Sequence, residues 1–196
     1  MIARVVDAKD PVTSRHSERV AAIAVRLAVA VGWSPKRCAQ LHEAGLVHDV
    51  GKIGVPDAIL FKPGALTEAE FAEIRKHAAL GAAIVAEVLS PEQTLWVRGH
   101  HERLDGAGYP DHLTADQISD GAAILALADS WDVMTVARPY STPISKEQAL
   151  EECRRGAGHQ FFPELVRVLE RVLEADGDAP LGGWAAEAEA ISVSTR

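Results

Sequence analysis

Cysteine and aromatic residues are both scarce in this chain. Only Cys38 and Cys153 occur among 196 residues, which excludes a disulfide framework and predicts reduced, buried thiols of the kind found in the cytoplasm. Aromatic residues make up 5% of the sequence while alanine is plentiful, a composition that favours helices packed closely through small side chains. No segment alternates between apolar and polar residues for long enough to predict a strand. The sequence therefore predicts an all-α fold.

Positive charge and long apolar runs are also lacking. The chain has 20 Lys and Arg against 28 Asp and Glu, a net charge of -8, which argues against a polynucleotide-binding surface because such surfaces need a basic patch. Bound divalent cations can reverse the sign of a site locally, so a small anionic substrate is compatible with this charge. Residues 1–10 lack the apolar core of a signal peptide, and the longest apolar stretch, residues 20–33, is interrupted by Arg26. We expect a cytoplasmic protein without a membrane segment.

Capping residues, glycines and prolines divide the chain into predicted helices. Thr13 or Ser14 caps the first helix and Gly32 ends it. Capping boxes open two later helices. The predicted helices cover roughly 14–31, 35–49, 57–61, 68–88, 91–103 and 124–136, with two more beginning near 146 and at Pro163. A long loop at 104–119 is of the length that is usually functional or mobile. We expect one domain over residues 1–175 and a weakly specified extension over 176–196.

Several polar residues occupy positions where the helical period calls for apolar ones. His16, for example, precedes Val20 and Ile23 by four and seven residues, so it shares their buried face. One such residue alone is explained equally well as a hydrogen-bonded core histidine. Five histidines and two aspartates together favour a metal site, because isolated buried carboxylates are costly. The set is His16, His48, Asp49, His77, His100, His101 and Asp129.

Seven such ligands exceed what one ion can bind, so the pattern predicts two divalent ions. Asp49, adjacent to His48, is placed to bridge them, as carboxylates do in two-metal sites. Mixed imidazole and carboxylate ligands fit iron or manganese and also accept zinc, nickel or cobalt.

The order of these residues resembles the HD-GYP family of the HD phosphohydrolase superfamily, over about residues 10 to 168. A lone His-Asp pair is weak evidence, but the ordered set is specific. The matching segments are His48-Asp49-Val50-Gly51-Lys52-Ile53-Gly54-Val55-Pro56-Asp57, Lys62-Pro63-Gly64, His77, His100-His101-Glu102-Arg103-Leu104-Asp105-Gly106-Ala107-Gly108-Tyr109-Pro110, Ala128-Asp129, Asp132 and Arg138-Pro139-Tyr140.

The resemblance implies a compact HD-domain helical bundle with a long GYP loop, which is the loop at 104–119 that contains Gly108-Tyr109-Pro110. It also implies hydrolysis of cyclic di-GMP to the linear dinucleotide and/or GMP by a two-metal-activated hydroxide. One ion would be held by His16, His48, Asp49 and Asp129, and the other by Asp49, His77, His100 and His101. Two ions are expected rather than three, because Val12 stands where some members carry a glutamate.

The resemblance further implies catalytic roles for Asp49 and Lys52. Lys52 would reach a phosphate oxygen or the hydroxide, a role that suits a compact cation; the alternative is a solvated loop lysine. Ser141 stands where members commonly have a basic residue, which removes an expected phosphate contact.

Substrate contacts are expected from the GYP loop and from Arg138. Gly108, Tyr109 and Pro110 form the motif itself, and Tyr109 offers a stacking face for guanine. The alternative is that this loop only supports the two adjacent histidines. Arg138 would bind phosphate or guanine, or form a surface ion pair.

Three further acids have open roles. Glu102 and Asp105 are candidates to fix the histidine tautomers through hydrogen bonds. Asp132 is equally compatible with a helix cap or a local ion pair.

Possible partners are a GGDEF protein, a sensor or receiver protein, or a second copy of the chain. Alternative functions are hydrolysis of another cyclic dinucleotide or nucleotide, and a non-enzymatic module that binds a nucleotide or partner.

Overall fold

A computed structural model describes residues 11–137 and 142–176, with the side chains of 16–137 and 142–175. Within these ranges the chain is helical, and its only extended pairings are two isolated bridges, Asp105 with Thr114 and Ala157 with Phe161. The predicted all-α fold is confirmed. Of the expected extension over residues 176–196, all but Asp176 lies outside the described parts, as does the side chain of Val12.

Eight α-helices and one 3-10 helix form the described structure. They are α1 (Pro11–Ala30), α2 (Pro35–Val47), the 3-10 helix (Val50–Gly54), α3 (Asp57–Leu60), α4 (Glu68–Val85), α5 (Pro91–Gly99), α6 (Asp120–Thr135), α7 (Lys146–Gly156) and α8 (Pro163–Asp176). The capping boxes predicted for α4 and α7 are present, and a third, unpredicted one opens α5.

Several helix ends differ from the sequence prediction, and three of them bear on the capping residues and on the site. Helix α1 begins at Pro11, so Thr13 and Ser14 lie inside it and do not cap it. Helix α5 ends at Gly99, which makes His100 its C-cap. Helix α6 begins four residues earlier than expected, after Ser119. Gly121 has low helix propensity, but burial of this turn overrides that preference.

The core lies between α1 and α6, with α2, α5 and α8 packed around them. Alanines on both central helices let the backbones approach closely, as the composition predicted. Cys38 and Cys153 are buried and unbridged, so the expected free thiols are confirmed. None of the described helices is long and apolar enough to cross a membrane.

Helix α4 buries a narrower face than its sequence predicted. Phe71 and Val88 were expected on the apolar face, but they are 36% and 62% exposed. The buried side of α4 is instead the strip around His77, Ala78 and Gly81, which packs on the 3-10 helix. This contact places His77 beside the residues that follow α2.

Gly51 makes the close approach of the 3-10 helix to α4 possible. A side chain here would overlap the carbonyl oxygen of His77 and lie 2.5 Å from the Gly81 nitrogen. Both neighbours are backbone atoms, which cannot rotate away.

We expect Gly51→Ala to destabilise the domain by about 1–3 kcal/mol, the usual range for overpacking a close contact. Gly99→Ala is the control, because its added methyl would meet a side-chain carbon at 3.3 Å. Urea unfolding measures both free energies. Equal losses for the two variants would contradict this account of Gly51.

Candidate metal centre

The seven predicted ligands converge on one place although they come from five chain segments. His16 lies on α1, His48 and Asp49 follow α2, and His77 lies on α4. The remaining three come from the end of α5 and from α6. All but His101 and Asp129 are fully buried, and those two are half-buried.

Asp49 lies between two groups of histidines. One group consists of His77, His100 and His101 with Asp49, and the other of His16 and His48 with Asp49; within each group the candidate ligand atoms lie within 4.8 Å of one another. The Oδ1 atom of Asp49 is 3.3 Å from His77 Nε2. Its Oδ2 is 3.6 Å from His48 Nε2 and 4.0 Å from His16 Nε2. Each oxygen therefore faces a different group.

Asp129 extends the group that contains His16. Its Oδ1 lies 3.1 Å from His16 Nε2, although it is outside the tightest cluster of that group. Asp129 thus adds a second carboxylate beside the Oδ2 side of Asp49.

Three of the histidines are held in one ring orientation by their own helices. The Nδ1 atoms of His48, His77 and His100 lie 2.6–2.7 Å from the carbonyl oxygens of Gly45, Ile74 and Val97, each three residues earlier. A carbonyl only accepts, so Nδ1 carries the proton and Nε2 keeps a lone pair for a ligand.

The inward atoms of this cluster fit divalent metal. His48 Nε2 and Asp49 Oδ1 are buried and have no hydrogen-bond partner among the described residues, which is costly for protein alone. His77 Nε2 and His100 Nε2 lie 3.4 Å apart, an approach that a shared ion explains. Imidazole nitrogen and carboxylate oxygen are suitable donors for divalent transition metals.

His16 is oriented by a side chain. Its Nδ1 lies 2.6 Å from Asp132 Oδ2, and Arg19 donates to both oxygens of that carboxylate. Asp132 is therefore a long-range partner of a candidate ligand; the sequence had left its role open.

The expectation that Glu102 and Asp105 fix histidine tautomers is wrong. Glu102 accepts hydrogen bonds from the backbone of Asp111 and Leu113, and so fastens the GYP loop. Asp105 pairs with Arg103 and accepts from the backbone of Ala107.

Lys52 is directed at the centre. Its Nζ lies 2.5 Å from Asp49 Oδ2, and its side chain is only 27% exposed. The alternative of a solvated loop lysine does not describe this geometry.

The GYP loop packs onto the end of α5. Gly108 is buried, and a Cβ there would lie 2.5 Å from the Glu102 Cα. The Tyr109 nitrogen donates to the His101 carbonyl at 3.1 Å, and the two rings are 4.7 Å apart. Pro110 is half-buried. Through this contact the loop supports His101, as the alternative interpretation of the motif expected. Arg138, the other expected substrate contact, lies outside the described residues.

Burial and neighbouring charge shift the pKa values of the candidate ligands. Burial lowers the pKa of His77 and His100, and it lowers the pKa of His101 to about 4. These imidazoles are neutral and available as ligands at neutral pH. Burial opposes charge on Asp49 too, but the ammonium of Lys52 holds its pKa well below the usual range.

Known proteins share both the sequence and the fold. The family model described as HD domain matches residues 1–165. The chain belongs to the HD domain family. A cyclic di-GMP phosphodiesterase from Thermotoga maritima is 40% identical to this HD domain over 164 residues, which cover 82% of this chain and 45% of the relative. The 3'3'-cGAMP-specific phosphodiesterase 3 of Vibrio cholerae is 39% identical over 172 residues, 87% of this chain and 37% of the relative.

A solved structure confirms the fold of this HD domain. The HDG"Y"P protein Bd1817 from Bdellovibrio bacteriovorus superposes with a TM-score of 0.67 at 20% identity, covering 82% of this chain and 52% of that one. Together with the curated relatives it confirms the predicted HD-GYP resemblance. The chain spans less than half the length of the two curated relatives.

The metal-free HD domain should be most stable near pH 6.5. Because burial holds the pKa of His101 at about 4, below the ordinary 6.5, the unfolded chain binds the extra proton and stability is lost as the pH falls from 6.5 towards 4. Burial also disfavours charge on His16, but Asp129 and Asp132 raise its pKa to about 9, so its contribution is full below 6.5 and is lost as the pH rises through 9.

Melting temperatures measured in chelator across this range test the expectation. His16→Gln should remove the loss on the alkaline side and leave the acid side in place. A wild-type melting temperature that climbs steadily from pH 6.5 to 9 would contradict it.

Proposed function

We propose that this HD domain is a metal-dependent phosphodiesterase that hydrolyses cyclic di-GMP to the linear dinucleotide and/or GMP. The observation that carries the proposal is Asp49, whose two oxygens face two separate groups of histidines. HD domains bind divalent metals, and a carboxylate shared by two ions would hold them close enough to stabilise the attacking and leaving oxygens of a phosphodiester together. Iron or manganese is the expected metal, with zinc, nickel or cobalt as alternatives.

Each ion has its own ligands in this proposal. His16, His48 and Asp129 with Asp49 Oδ2 would hold one ion. His77, His100 and His101 with Asp49 Oδ1 would hold the other. When bound, the ions supply positive charge that lowers the pKa of water and neutralises the phosphodiester.

Lys52 and the GYP loop supply the remaining functions. The ammonium of Lys52 already lies against Asp49 Oδ2, so a phosphate arriving there meets a compact cation. The Tyr109 ring packs on His101 and would offer its other face to a guanine base. Gly108, Pro110 and Arg138 complete the proposed substrate contacts.

The relatives support a cyclic dinucleotide as the substrate class. Their names divide between cyclic di-GMP and 3'3'-cGAMP at nearly equal identity to this chain, 40% and 39%. A mixed cyclic dinucleotide is therefore the second candidate. We place the enzyme in the cytoplasm, which its two unbridged cysteines support, and expect regulation by a GGDEF, sensor or receiver partner or by homodimerisation.

Turnover of a substrate panel by metal-loaded protein tests the proposal. We expect cyclic di-GMP to be hydrolysed faster than 3'3'-cGAMP or cyclic di-AMP. His48→Ala and Asp49→Ala should each reduce turnover by roughly a thousand-fold, since bound ions contribute several kcal/mol to such reactions.

His159→Ala and Asp116→Ala are the matched controls, because both side chains are exposed. They should retain wild-type rates. Metal-replete wild type that leaves every cyclic dinucleotide intact would contradict the proposal. If such protein still bound a partner, and Asp49→Ala did so equally, the domain would be a non-enzymatic signalling module.

A further inference from the structure

His16 differs from the other oriented histidines in the partner of its Nδ1. His48, His77 and His100 donate to neutral backbone carbonyls. His16 instead donates to a carboxylate, Asp132, at 2.6 Å. A carboxylate acceptor raises the basicity of the other ring nitrogen and makes the imidazole a stronger ligand.

Arg19 fixes that carboxylate in place. Its Nε lies 2.5 Å from Asp132 Oδ1, and its terminal nitrogen lies 3.0 Å from Oδ2. Asp132 is 1% exposed, so its charge needs compensation inside the protein. The planar guanidinium supplies both charge and direction, because it engages the two oxygens together.

The two histidine groups therefore differ in negative charge. The group of His16 and His48 has Asp129 beside it and Asp132 behind it. The group of His77, His100 and His101 has no carboxylate other than the shared Asp49 among its clustered ligand atoms in the described residues.

We propose that Arg19 and Asp132 are positioning residues that make the ion site containing His16 the tighter of the two. The site of His77, His100 and His101 then fills second and exchanges its ion more readily. This inference rests on the two-ion function proposed above. It adds the order in which the two sites fill with metal, so that activity depends on enough free metal to fill the second site.

Titration of Mn²⁺ into metal-free protein tests the proposal. Free Mn²⁺ is counted by electron paramagnetic resonance, so the readout is binding and not activity. Wild type should bind two ions in two separated steps. Asp132→Asn leaves a neutral acceptor for His16 and should weaken the tighter step by about 10–100-fold, the usual effect of losing such a partner.

Arg19→Lys should weaken the same step by less, since lysine keeps the positive charge but loses the two parallel N–H donors of the guanidinium. Arg154→Lys is the control, because Arg154 makes a comparable but exposed pair with Glu170 at 2.6 Å. The weaker step should be unchanged in all three variants.

Equal weakening of both steps, weakening of the weaker step alone, or no change in either would overturn the assignment. Should Asp132→Asn fail to fold by circular dichroism, the same criteria apply to Arg19→Lys. A wild type that binds no second ion would instead overturn the proposed function.

Arg75 carries a second inference on independent grounds. Its guanidinium carbon lies 4.4 Å from the Phe71 ring centre and 5.9 Å from that of Tyr109. Within the part of the chain that the structure describes, its buried Nε has no hydrogen-bond partner. Its ion-pair contact is a 3.4 Å approach to Glu68, which is 82% exposed, and such a surface pair contributes little.

Arg75 therefore lies near the same Tyr109 ring that packs on the candidate ligand His101. A cyclic dinucleotide has two phosphates, and only one can react at a time. We infer that Arg75, whose side chain is 40% exposed, binds the second, non-reacting phosphate with its terminal nitrogens as donors. This inference also rests on the proposed function.

Kinetics with two substrates test the role of Arg75. Arg75→Ala should raise KM for cyclic di-GMP by roughly 10–100-fold, as expected for loss of a charged hydrogen bond, with kcat little changed. Its activity on bis(4-nitrophenyl) phosphate, which has one phosphate, should match wild type. Arg75→Lys should recover part of the loss.

Equal effects on both substrates, or no effect on either, would overturn this role. Arg154→Ala serves as the surface control. A wild type that hydrolyses the small diester but no cyclic dinucleotide would count against the proposed substrate class and would leave the binding of metal in place.

Discussion

The buried carboxylate of Asp49 is the constraint on which the centre depends. Removing such a charge from water costs several kcal/mol unless positive charge compensates for it. Lys52 provides one compensating charge at 2.5 Å, yet Oδ1 has no hydrogen-bond partner in residues 16–137 and 142–175. His48 and His77, on either side, present lone pairs at Nε2 and so cannot satisfy a carboxylate by themselves. Divalent cations accept electron pairs from carboxylate oxygens and from imidazole nitrogens, which is why we place two ions around this residue.

The fold brings five chain segments to that carboxylate by close backbone packing. Gly51 lets the 3-10 helix rest directly on α4, which sets His77 beside Asp49. At the end of α5, Glu102 fastens the GYP loop by accepting two backbone hydrogen bonds. Tyr109 then packs on His101. These contacts make the GYP loop a support for the candidate ligands His100 and His101.

The candidate ligands could be picked out from sequence because polar residues break an apolar helical period, and His16 and His77 show this clearly. Capping boxes likewise marked α4 and α7. The partners of those ligands could not be predicted. Asp132 and His16 are 116 residues apart, and their contact depends on how α1 crosses α6. Nearness in sequence was misleading for Glu102, which turns toward the GYP loop. Phe71 was misassigned because periodicity cannot tell how wide a buried face is.

The most direct test of the shared carboxylate is the metal content of protein purified without oxygen, with cyclic di-GMP turnover measured on the same sample. Elemental analysis should find two divalent ions per chain in active wild type. Asp49→Asn should lose ions from both sites together, because one residue serves both. Active protein with a single ion, or an Asp49→Asn variant that keeps both, would contradict the bridging role.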